Sequence, residues 1–398
     1  MPSNETHLSG SPEPFIDFSV VIPCLNEEST LGICLEKAFR AMREHGIRGE
    51  VIVADNGSTD RSLTIAETAG AHIVHVKEKG YGCALMGGIE AAEGKWILMA
   101  DADDSYDFLE IPVFYDALQQ GYELVQGCRL PRGGGEVKPG AMPSLHRWLG
   151  NPLFSQLARS WFGAPIHDVY CGMRAFTREL YDKLDLHCTG MEFATEMIIK
   201  ASLYKSKIHE VPITLHPDGR TTNTPHLKTW HDGWRTLRFF LMSSPTVLFL
   251  IPGILLIGIG LICYLLVFAH ISLGSTTLDA HTLLFATLAI ILGYQAILFS
   301  IFTKIFALSQ HLLPPDPRFT RFCSVLTLER GVLAGLAVLL IGVSLLALAV
   351  VQWTESGFGN LEYSRTMRLV IPGFTLTTIS IQTVFSGFFI SILGMRKR

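Results

Sequence analysis

The sequence lacks the features that would mark a secreted, disulfide-bonded or nucleic-acid-binding protein. Its eight cysteines include no CxxC pair, so reduced and mostly buried thiols in a cytosolic domain are expected. Residues 1–14 contain no basic stretch and no apolar core, so a signal peptide is not indicated, and residues 1–17 are predicted to form a disordered tail. The net charge of -4, without a basic stripe, argues against a nucleic-acid partner.

Two nucleotide-binding signatures are missing as well. No GxGxxG motif follows the first predicted strand, so a dinucleotide-binding fold lacks its fingerprint. No GxxxxGK[ST] motif occurs, which argues against a P-loop NTPase.

Charge is scarce, and the second half of the chain has very little of it. Only 17% of the residues are charged, whereas 48% are hydrophobic. Four stretches carry no charged residue, and each is long enough to cross a bilayer core: 245–269, 283–303, 331–353 and 369–395. The sequence therefore predicts a transmembrane domain of four helices over residues 241–398, with a hairpin or interfacial arrangement of one pair left open.

Lysine and arginine predict the orientation of these spans. The segment 270–280 carries neither residue, whereas basic residues precede the first span, follow the second and end the chain: Arg235, Arg238, Arg318, Arg321, Arg330, Arg396, Lys397 and Arg398. By the positive-inside rule both termini lie in the cytosol. A multi-pass membrane protein with a cytosolic N-terminal domain is expected, with the bacterial inner membrane as its location.

Residues 18–240 have the alternating pattern of an α/β domain. Strands are predicted over 18–23, 50–54, 72–76 and 96–100, and helices over 27–44, 60–69 and 81–93, with Asp60 as a cap. Strands that alternate with helices of this length indicate a mostly parallel sheet. Ligands of such sheets bind at the carboxyl ends of the strands.

Polar residues cluster at those strand ends. Asn26 and Glu27 follow the first strand, Asp55 follows the second, and Asp101 and Asp103 follow the fourth. Strand termination and helix capping would explain each group singly. The two carboxylates around Ala102 also suit Mg²⁺ or Mn²⁺, which prefer hard oxygen ligands and can neutralise a diphosphate leaving group.

Together these motifs resemble family 2 glycosyltransferases of GT-A fold. The resemblance rests on Asn26-Glu27, on the run from Asp55 to Asp60, on the glycine-opened helix at Gly80 and on Asp101-Ala102-Asp103. Three later segments, 127–129, 168–176 and 192–200, are similar to dolichyl-phosphate mannose synthases and bacterial polyprenyl-phosphate glycosyltransferases.

The resemblance implies a role for each matching residue. The nucleotide-sugar would be bound by Pro23, Asn26, Glu27, Asp55, Gly57, Ser58, Gly80, Asp101 and Arg220. Asp101 and Asp103 would hold the metal, and Arg129 and Arg147 the acceptor phosphate. The catalytic set would be Asp103, Asp168, Arg174 and Glu192. Glu192 and Glu196 share a helix face by their spacing, although a solvated face would show the same pattern.

The sequence departs from this family in two places. Asn56 stands where many members have a second aspartate, and Pro225 to Lys228 replace a usual Ser-Lys pair. The second departure leaves the identity of the donor open, UDP-linked or GDP-linked.

Two amphipathic stretches fit an enzyme at a membrane surface. Segments 144–162 and 227–241 combine apolar and aromatic residues at helical spacing with arginines or lysines. The pattern indicates helices at the interface with membrane lipids, although core-packing helices show similar periodicity.

The predicted reaction is transfer of a sugar from a nucleotide-sugar to polyprenyl phosphate, with inversion. A lipid phosphate is already an anion, so little general-base help is needed. A processive polysaccharide synthase is an alternative, although Arg147-Trp148 lacks the glutamine of the usual motif. The second alternative is a non-catalytic sugar-lipid translocator or scaffold. A homo-oligomer is left open.

Overall fold

The protein divides into two compact units. A computed structural model describes residues 16–220, 229–273, 276–310, 313–325 and 327–394. The first unit ends at Phe240 and the second begins at Leu241. The predicted tail lies almost wholly outside the described residues, as do Leu227, Lys228 and the three basic residues at the end of the chain.

The first unit is built on a seven-stranded sheet. Its strands are β1 (Phe18–Cys24), β2 (Gly49–Asp55), β3 (His72–His75), β4 (Trp96–Met99), β5 (Leu124–Cys128), β7 (Arg174–Thr177) and β8 (Ile208–Pro212), while β6 (Glu136–Val137) pairs with β9 (Thr214–Leu215) separately. The order is β3-β2-β1-β4-β7-β5-β8, and only β7 runs antiparallel to its neighbours. The predicted mostly parallel α/β sheet is confirmed.

Helices cover both faces of this sheet. They are α1 (Leu31–Glu44), α2 (Ser62–Ala69), α3 (Tyr81–Ala91), α4 (Ile111–Gln119), α5 (Asn151–Phe162), α6 (Arg178–Leu184), α7 (Glu192–Leu203) and α8 (Thr229–Ser243). Adjacent residues of β1 point to opposite faces: Val20 packs in the cluster with α1 and α4, and Val21 in the cluster with α3, α5 and α7. The buried β-branched runs therefore form a two-sided core.

The predicted start of the first helix is wrong by four residues. The helix begins at Leu31 because Asn26 adopts a left-handed conformation (φ 59°) and Glu27 opens a turn that Thr30 closes. Asp60 is not the cap of α2, since Arg61 occupies that position. The Asp60 carboxylate instead accepts hydrogen bonds from the amides of Ser62 and Glu28, which ties the two loops together.

Among its described residues, the second unit contains four helices long and apolar enough to cross a membrane, which confirms the prediction. The spans are Thr246–Phe268, Ala280–Ser309, Leu328–Glu355 and Tyr363–Leu393. The first span comprises a short π-helix (Thr246–Leu250) followed by α9 (Ile251–Phe268). The others are α10 (Ala280–Ser309), α12 (Leu328–Glu355) and α13 (Tyr363–Gly394). Short strands β10 (Ser272–Leu273) and β11 (Thr276–Thr277) follow α9, and α11 (Pro317–Val325) precedes α12.

Small and hydroxyl-bearing residues join the spans. A Cβ on Gly253 would lie 2.8 Å from the carbonyl oxygen of Gly293, so glycine allows α9 and α10 to pack backbone against backbone. The hydroxyls of Tyr264, Thr287 and Thr375 lie 2.7 to 2.9 Å from one another and link α9, α10 and α13. These bonds satisfy polar groups that lipid could not.

Candidate active site at the carboxyl edge of the sheet

The loops after β1 and β2 are held together by side-chain contacts. The Ser58 hydroxyl accepts a hydrogen bond from the Asn26 amide at 3.0 Å, and the Asn26 carboxamide oxygen accepts from the Thr59 amide at 2.8 Å. These bonds bring Pro23, at the end of β1, and Asn26 beside the loop that starts at Asp55. The structure thus gathers residues that the sequence placed after two different strands.

Asp55 is a buried carboxylate with neutral hydrogen-bond donors. It accepts from the amides of Gly57 and Ser58 at 3.1 and 2.9 Å, and His75 Nδ1 lies 3.4 Å away. Burial alone would raise the pKa of Asp55, but the bonds from Ser58, Gly57 and His75 outweigh it and hold the pKa below its ordinary value. Asp55 therefore remains charged at neutral pH.

An arginine connects the loop after β1 with the loop after β4. The Arg220 guanidinium binds both carboxylate oxygens of Glu27 at 2.5 to 3.1 Å, and its Nη1 lies 3.5 Å from Asp103 Oδ2. Nearby, the Gly219 amide donates to the Asp103 carbonyl at 3.0 Å. A cation thus lies where the acidic residues of two strand ends meet.

Asp101 and Asp103 follow β4 and have different partners. Asp101 Oδ1 accepts from the Tyr81 hydroxyl at 2.8 Å, whereas Asp103 Oδ1 accepts from the Ser105 amide and hydroxyl at 3.1 and 2.6 Å. Burial first, and then the Asp103 carboxylate, raise the pKa of Asp101 to about 6. The two carboxylates therefore repel each other, and a cation bound by both would relieve that repulsion.

The carboxylates at this edge fit a divalent metal ion whose remaining coordination positions are filled by oxygens of a bound ligand and of water. Within the described residues no group of three His, Cys, Asp or Glu side chains could hold a metal alone. Mg²⁺ is commonly bound by one or two carboxylates together with substrate phosphates. Asp101 and Asp103 supply those carboxylates, and Arg220 already brings positive charge to Asp103.

Arg129 and Asp168 form a buried ion pair. Arg129 Nε and Nη2 lie 2.7 and 2.9 Å from the two Asp168 oxygens, and its Nη1 lies 3.4 Å from the Tyr106 hydroxyl. Burial lowers the pKa of Arg129, but Asp168, together with Tyr106 and Cys171, outweighs burial and raises it. Two nitrogens of the guanidinium that is predicted to hold the acceptor phosphate are thus bound to Asp168, and Nη1 faces Tyr106.

Arg174 has the contacts of a positioning residue. It is fully buried, and its two terminal nitrogens donate to the carbonyls of Ala194 and Cys171, both at 2.5 Å. Burial lowers the pKa of Arg174. It ties β7 to α7 and to the loop after Asp168. Its predicted place beside the sugar stays a prediction.

The two glutamates of α7 differ in their partners, so neither belongs to a solvated helix face. Glu192 is bound by Arg235 of α8, with Nε and Nη2 at 2.6 and 3.0 Å from its oxygens. Glu196 is buried, lies 2.8 Å from Lys200 and accepts from the amides of His187 and Cys188. Glu192 thus fixes α8 on the domain, and its catalytic role stays a prediction.

The predicted amphipathic segments are partly core helices. Phe154 and Trp161 of α5 pack with Phe240 of α8, which is fully buried. Other apolar residues of the two segments are exposed: Leu145, Trp148, Leu149, Leu153 and Trp234. Arg147 stacks on Trp148 at 5.2 Å, and its Nε has no hydrogen-bond partner among the described residues. An apolar rim with a basic group remains on the surface, as an interfacial helix requires.

Gly80, to which the resemblance assigns nucleotide-sugar binding, has its amide engaged within the protein. Its amide donates to the Asn56 side chain at 2.9 Å, and the Gly82 amide donates to the Thr189 carbonyl at 2.9 Å. Both amides are therefore engaged by the protein. Glycine is needed for contact, because a Cβ on Gly80 or Gly82 would lie 2.3 Å from Thr189 O or 2.2 Å from Cys188 O.

Asn56 has a structural reason to differ from the usual aspartate. Its amide nitrogen donates to the carbonyls of Val76 and Glu78 at 3.1 and 2.7 Å, while its oxygen accepts from Gly80. An ionised aspartate could accept but not donate. Its neighbour Gly57 (φ 95°) leaves room for Lys79, whose Nζ lies 2.2 Å from the position of a Cβ there.

Sequence reasoning missed several residues of the site. Tyr81, Tyr106 and Gly172 surround Asp101. Arg235 forms an ion pair with Glu192. The glycines beside Tyr81 were a usable signal, since paired glycines mark close backbone approach. Arg235 gave no such signal, because its partner lies 43 residues away.

Comparison with known proteins identifies the class to which this fold and site belong. Residues 19–185 match the family described as glycosyl transferase family 2, and residues 301–394 match the C-terminal transmembrane region of glycosyltransferase family 2. The protein is a membrane-bound glycosyltransferase. It belongs to glycosyltransferase family 2, and the predicted resemblance is confirmed.

Three relatives illustrate the likeness. The chain is 36% identical to a low-salt glycan biosynthesis hexosyltransferase of Haloferax volcanii, over 98% of this chain and 92% of the relative. A dolichyl-phosphate hexose transferase of the same organism is 34% identical over 50% of this chain and 82% of its own. An undecaprenyl-phosphate 4-deoxy-4-formamido-L-arabinose transferase of Pectobacterium carotovorum is 29% identical over 70% and 84%.

Among solved structures, the glucosyl-3-phosphoglycerate synthase of Mycobacterium tuberculosis was crystallised with Mn²⁺, UDP and glucosyl-3-phosphoglycerate. It is similar to this chain with a TM-score of 0.45 and 22% identity, over 57% of this chain and 78% of that one.

Proposed function

We propose that this enzyme transfers a sugar from a nucleotide-sugar to the phosphate of a polyprenyl phosphate, with inversion at the anomeric carbon. The observation that carries the proposal is the gathering of Asn26, Glu27, Asp55, Asp101 and Asp103 at one sheet edge. The described part of the chain also has four helices long and apolar enough to cross a membrane. The names of two relatives, a dolichyl-phosphate and an undecaprenyl-phosphate transferase, support a lipid-phosphate acceptor.

The nucleoside of the donor would bind between the loops after β1 and β2. Asp55 is charged and fixed by two backbone amides, so it offers a rigid acceptor for a ribose hydroxyl or a base. Pro23 and Asn26 lie on the facing loop, and Gly57 and Ser58 complete the wall. UDP and GDP are the two nucleotides that this proposal admits.

The diphosphate would bind near Asp101 and Asp103. A bound Mg²⁺ or Mn²⁺ would stabilise the charge that develops on the leaving group. Arg220 reaches Asp103 and Glu27 in this structure, so a small movement of its guanidinium would bring it to the diphosphate oxygens.

The acceptor phosphate needs orientation more than deprotonation. It is an anion at neutral pH, so the site must hold it behind the anomeric carbon. Arg147 suits this role, because it lies among exposed apolar side chains at which a lipid headgroup would meet the domain. Arg129 would contribute through Nη1, with Asp168 fixing its orientation.

The catalytic domain is proposed to face the cytosol. Arg318 and Arg321 lie between the second and third spans and Arg330 lies at the start of the third, whereas the segment 270–280, which joins the first and second spans, has no Lys or Arg. The junction of the third and fourth spans is mixed, since Arg365 and Arg368 are balanced by Glu355 and Glu362. A tag inserted at Gly359, between α12 and α13, should be labelled only from outside the cell. Labelling from the cytosol alone would reverse the assignment.

The proposal is tested by screening nucleotide-sugars with the purified full-length enzyme. Release of nucleoside diphosphate should require polyprenyl phosphate, and one or a few UDP-linked or GDP-linked sugars should support it. Asp103→Asn serves as the inactive control, and Asp116→Asn, an exposed residue of α4, as the matched active one. Release that is independent of lipid phosphate with every donor would contradict the proposal.

A further inference from the structure

The turn that opens α3 places the Tyr81 hydroxyl 2.8 Å from Asp101 Oδ1. We propose that Tyr81 is a positioning residue that orients the Asp101 carboxylate for metal-dependent donor binding, and that Gly80 and Gly82 place its hydroxyl there. This inference rests on the proposed function, since it presumes a metal bound by Asp101 and Asp103.

The contact between Tyr81 and Asp101 is direct. The hydroxyl donates to Asp101 Oδ1 at 2.8 Å, and no other side chain hydrogen-bonds this carboxylate within the described residues. A single fixed donor restricts rotation of the carboxylate about its last bond. Groups that orient metal ligands in this way commonly change metal affinity 10-fold to 100-fold when removed.

The backbone on either side of Tyr81 is fixed by its two glycines. The Gly80 amide is held by Asn56, and the amides of Gly82 and Cys83 donate to the Thr189 carbonyl at 2.9 and 3.3 Å. Each glycine lies too close to the 188–189 backbone to carry a side chain. These contacts fix the start of α3 and therefore limit movement of the Tyr81 backbone away from Asp101.

The other oxygen of Asp101 is confined as well. A Cβ on Gly172 would lie 2.8 Å from Asp101 Oδ2 and 3.1 Å from the Tyr106 hydroxyl. The Gly172 amide donates to that hydroxyl at 2.8 Å, so Gly172 is itself fixed. Asp101 is therefore held by a hydrogen bond at Oδ1 and by close packing at Oδ2, which leaves one orientation for ligand binding.

The experiment compares nucleotide binding with and without metal in the purified full-length protein. UDP and GDP are each titrated into wild type, Tyr81→Phe and Tyr115→Phe, in EDTA and in Mn²⁺, and the nucleotide that wild type binds more tightly is used. Tyr115 provides the matched control, because it packs against Phe18 and Trp96 in the other core cluster. Circular dichroism checks that each variant is folded.

In Tyr81→Phe, the gain in nucleotide affinity on adding Mn²⁺ should be about tenfold smaller than in wild type. Its nucleotide affinity in EDTA should equal that of wild type. Tyr115→Phe should match wild type in both conditions. An unchanged Mn²⁺ effect in Tyr81→Phe would overturn the inference, and so would an equal loss in EDTA, which would make Tyr81 a general structural residue.

Gly172→Ala provides a second perturbation if Tyr81→Phe does not fold. It crowds Asp101 Oδ2 without removing a hydrogen bond, and it should cause the same selective loss. A wild type that binds nucleotide without any Mn²⁺ effect would instead remove the metal from the proposed function. That result would overturn the inference for a reason unrelated to Tyr81.

Discussion

The residues proposed to bind the donor, Asn26, Glu27, Asp55, Asp101 and Asp103, form what we call the donor edge. Their carboxylates and those of the two ion pairs, Arg129 with Asp168 and Arg235 with Glu192, have different hydrogen-bond partners. At the donor edge, Asp55 and Asp101 accept hydrogen bonds mainly from neutral amides and hydroxyls. Asp168 and Glu192 are instead each bound, through both carboxylate oxygens, by the Nε and Nη2 atoms of an arginine. Neutral donors leave a carboxylate's charge available to a ligand, whereas an arginine fork neutralises it and fixes the backbone around it. Glu27 is an exception, because it lies at the donor edge and Arg220 binds both of its oxygens. The contrast therefore concerns Asp55 and Asp101 on one side and Asp168 and Glu192 on the other.

The largest effect expected from this contrast is on activity at the donor edge. Asp103→Asn should lower sugar transfer by about 100-fold or more, because the charge next to the diphosphate is lost. Its bonds from Ser105 can persist, so the thermal unfolding midpoint should stay near that of wild type. Transfer rate and unfolding are measured on the same preparations. A variant with wild-type turnover would place Asp103 outside the reaction.

The buried pair should show the opposite pattern. Asp168→Asn leaves the Arg129 charge buried without its partner, and we expect the unfolding free energy to fall by about 3 kcal/mol. The unfolding midpoint of the detergent-solubilised protein reports this loss, and Asp103→Asn is the matched control. If Asp168→Asn is as stable as wild type and only inactive, Asp168 belongs with the ligand-binding residues instead.

The sequence predicts the location of the donor edge better than its contacts. Asn26, Asp55 and Asp101 were found because parallel strands end at a common edge and polar residues follow each of them. The partners could not be predicted in the same way, since Arg220 meets Glu27 across 193 positions of sequence. The donors and acceptors of Asn56 likewise depend on where β3 ends, which periodicity does not show.

A smaller effect is expected for nucleotide binding at Asp55. Asp55→Ala should weaken nucleoside diphosphate binding about tenfold with little change in turnover, because the residue lies away from the reacting centre. Asp55→Asn keeps an oxygen for the Gly57 and Ser58 amides but loses the charge. Isothermal titration of all three proteins separates these roles. If Asn restores wild-type affinity, Asp55 serves only to shape the loop.

The membrane unit was predicted more closely than the site. Hydropathy fixes the existence of a span because lipid tolerates few charged side chains. All four spans were found, although α10 extends to Ser309 and α13 starts at Tyr363, beyond the predicted limits. Residue patterning did not predict the hydroxyl contacts of Tyr264, because each hydroxyl has its partner on another helix.

The smallest expected effect is a change in stability at Glu110, which lies outside the donor edge and the two ion pairs. Burial raises the pKa of Glu110 to about 7, and its Oε2 has no hydrogen-bond partner, while Oε1 accepts from the Thr214 amide. The folded state thus keeps this carboxyl group protonated to a higher pH than the unfolded state does. The free energy of unfolding therefore falls as the pH rises from 4.5 to 7. Glu110→Gln should be more stable than wild type by about 1 kcal/mol at pH 8, with no gain at pH 4.5. Unfolding midpoints at the two pH values measure this difference, and an equal change at both would contradict the assignment.

The most direct test of the account is to determine which atom receives the sugar. Purified enzyme is given the donor from the screen with polyprenyl phosphate or with the corresponding polyprenol, and the lipid products are analysed by mass spectrometry. The account predicts a single added sugar on polyprenyl phosphate, none on polyprenol, and release of one nucleoside diphosphate for each product. A ladder of added sugars, or equal transfer to polyprenol, would contradict it.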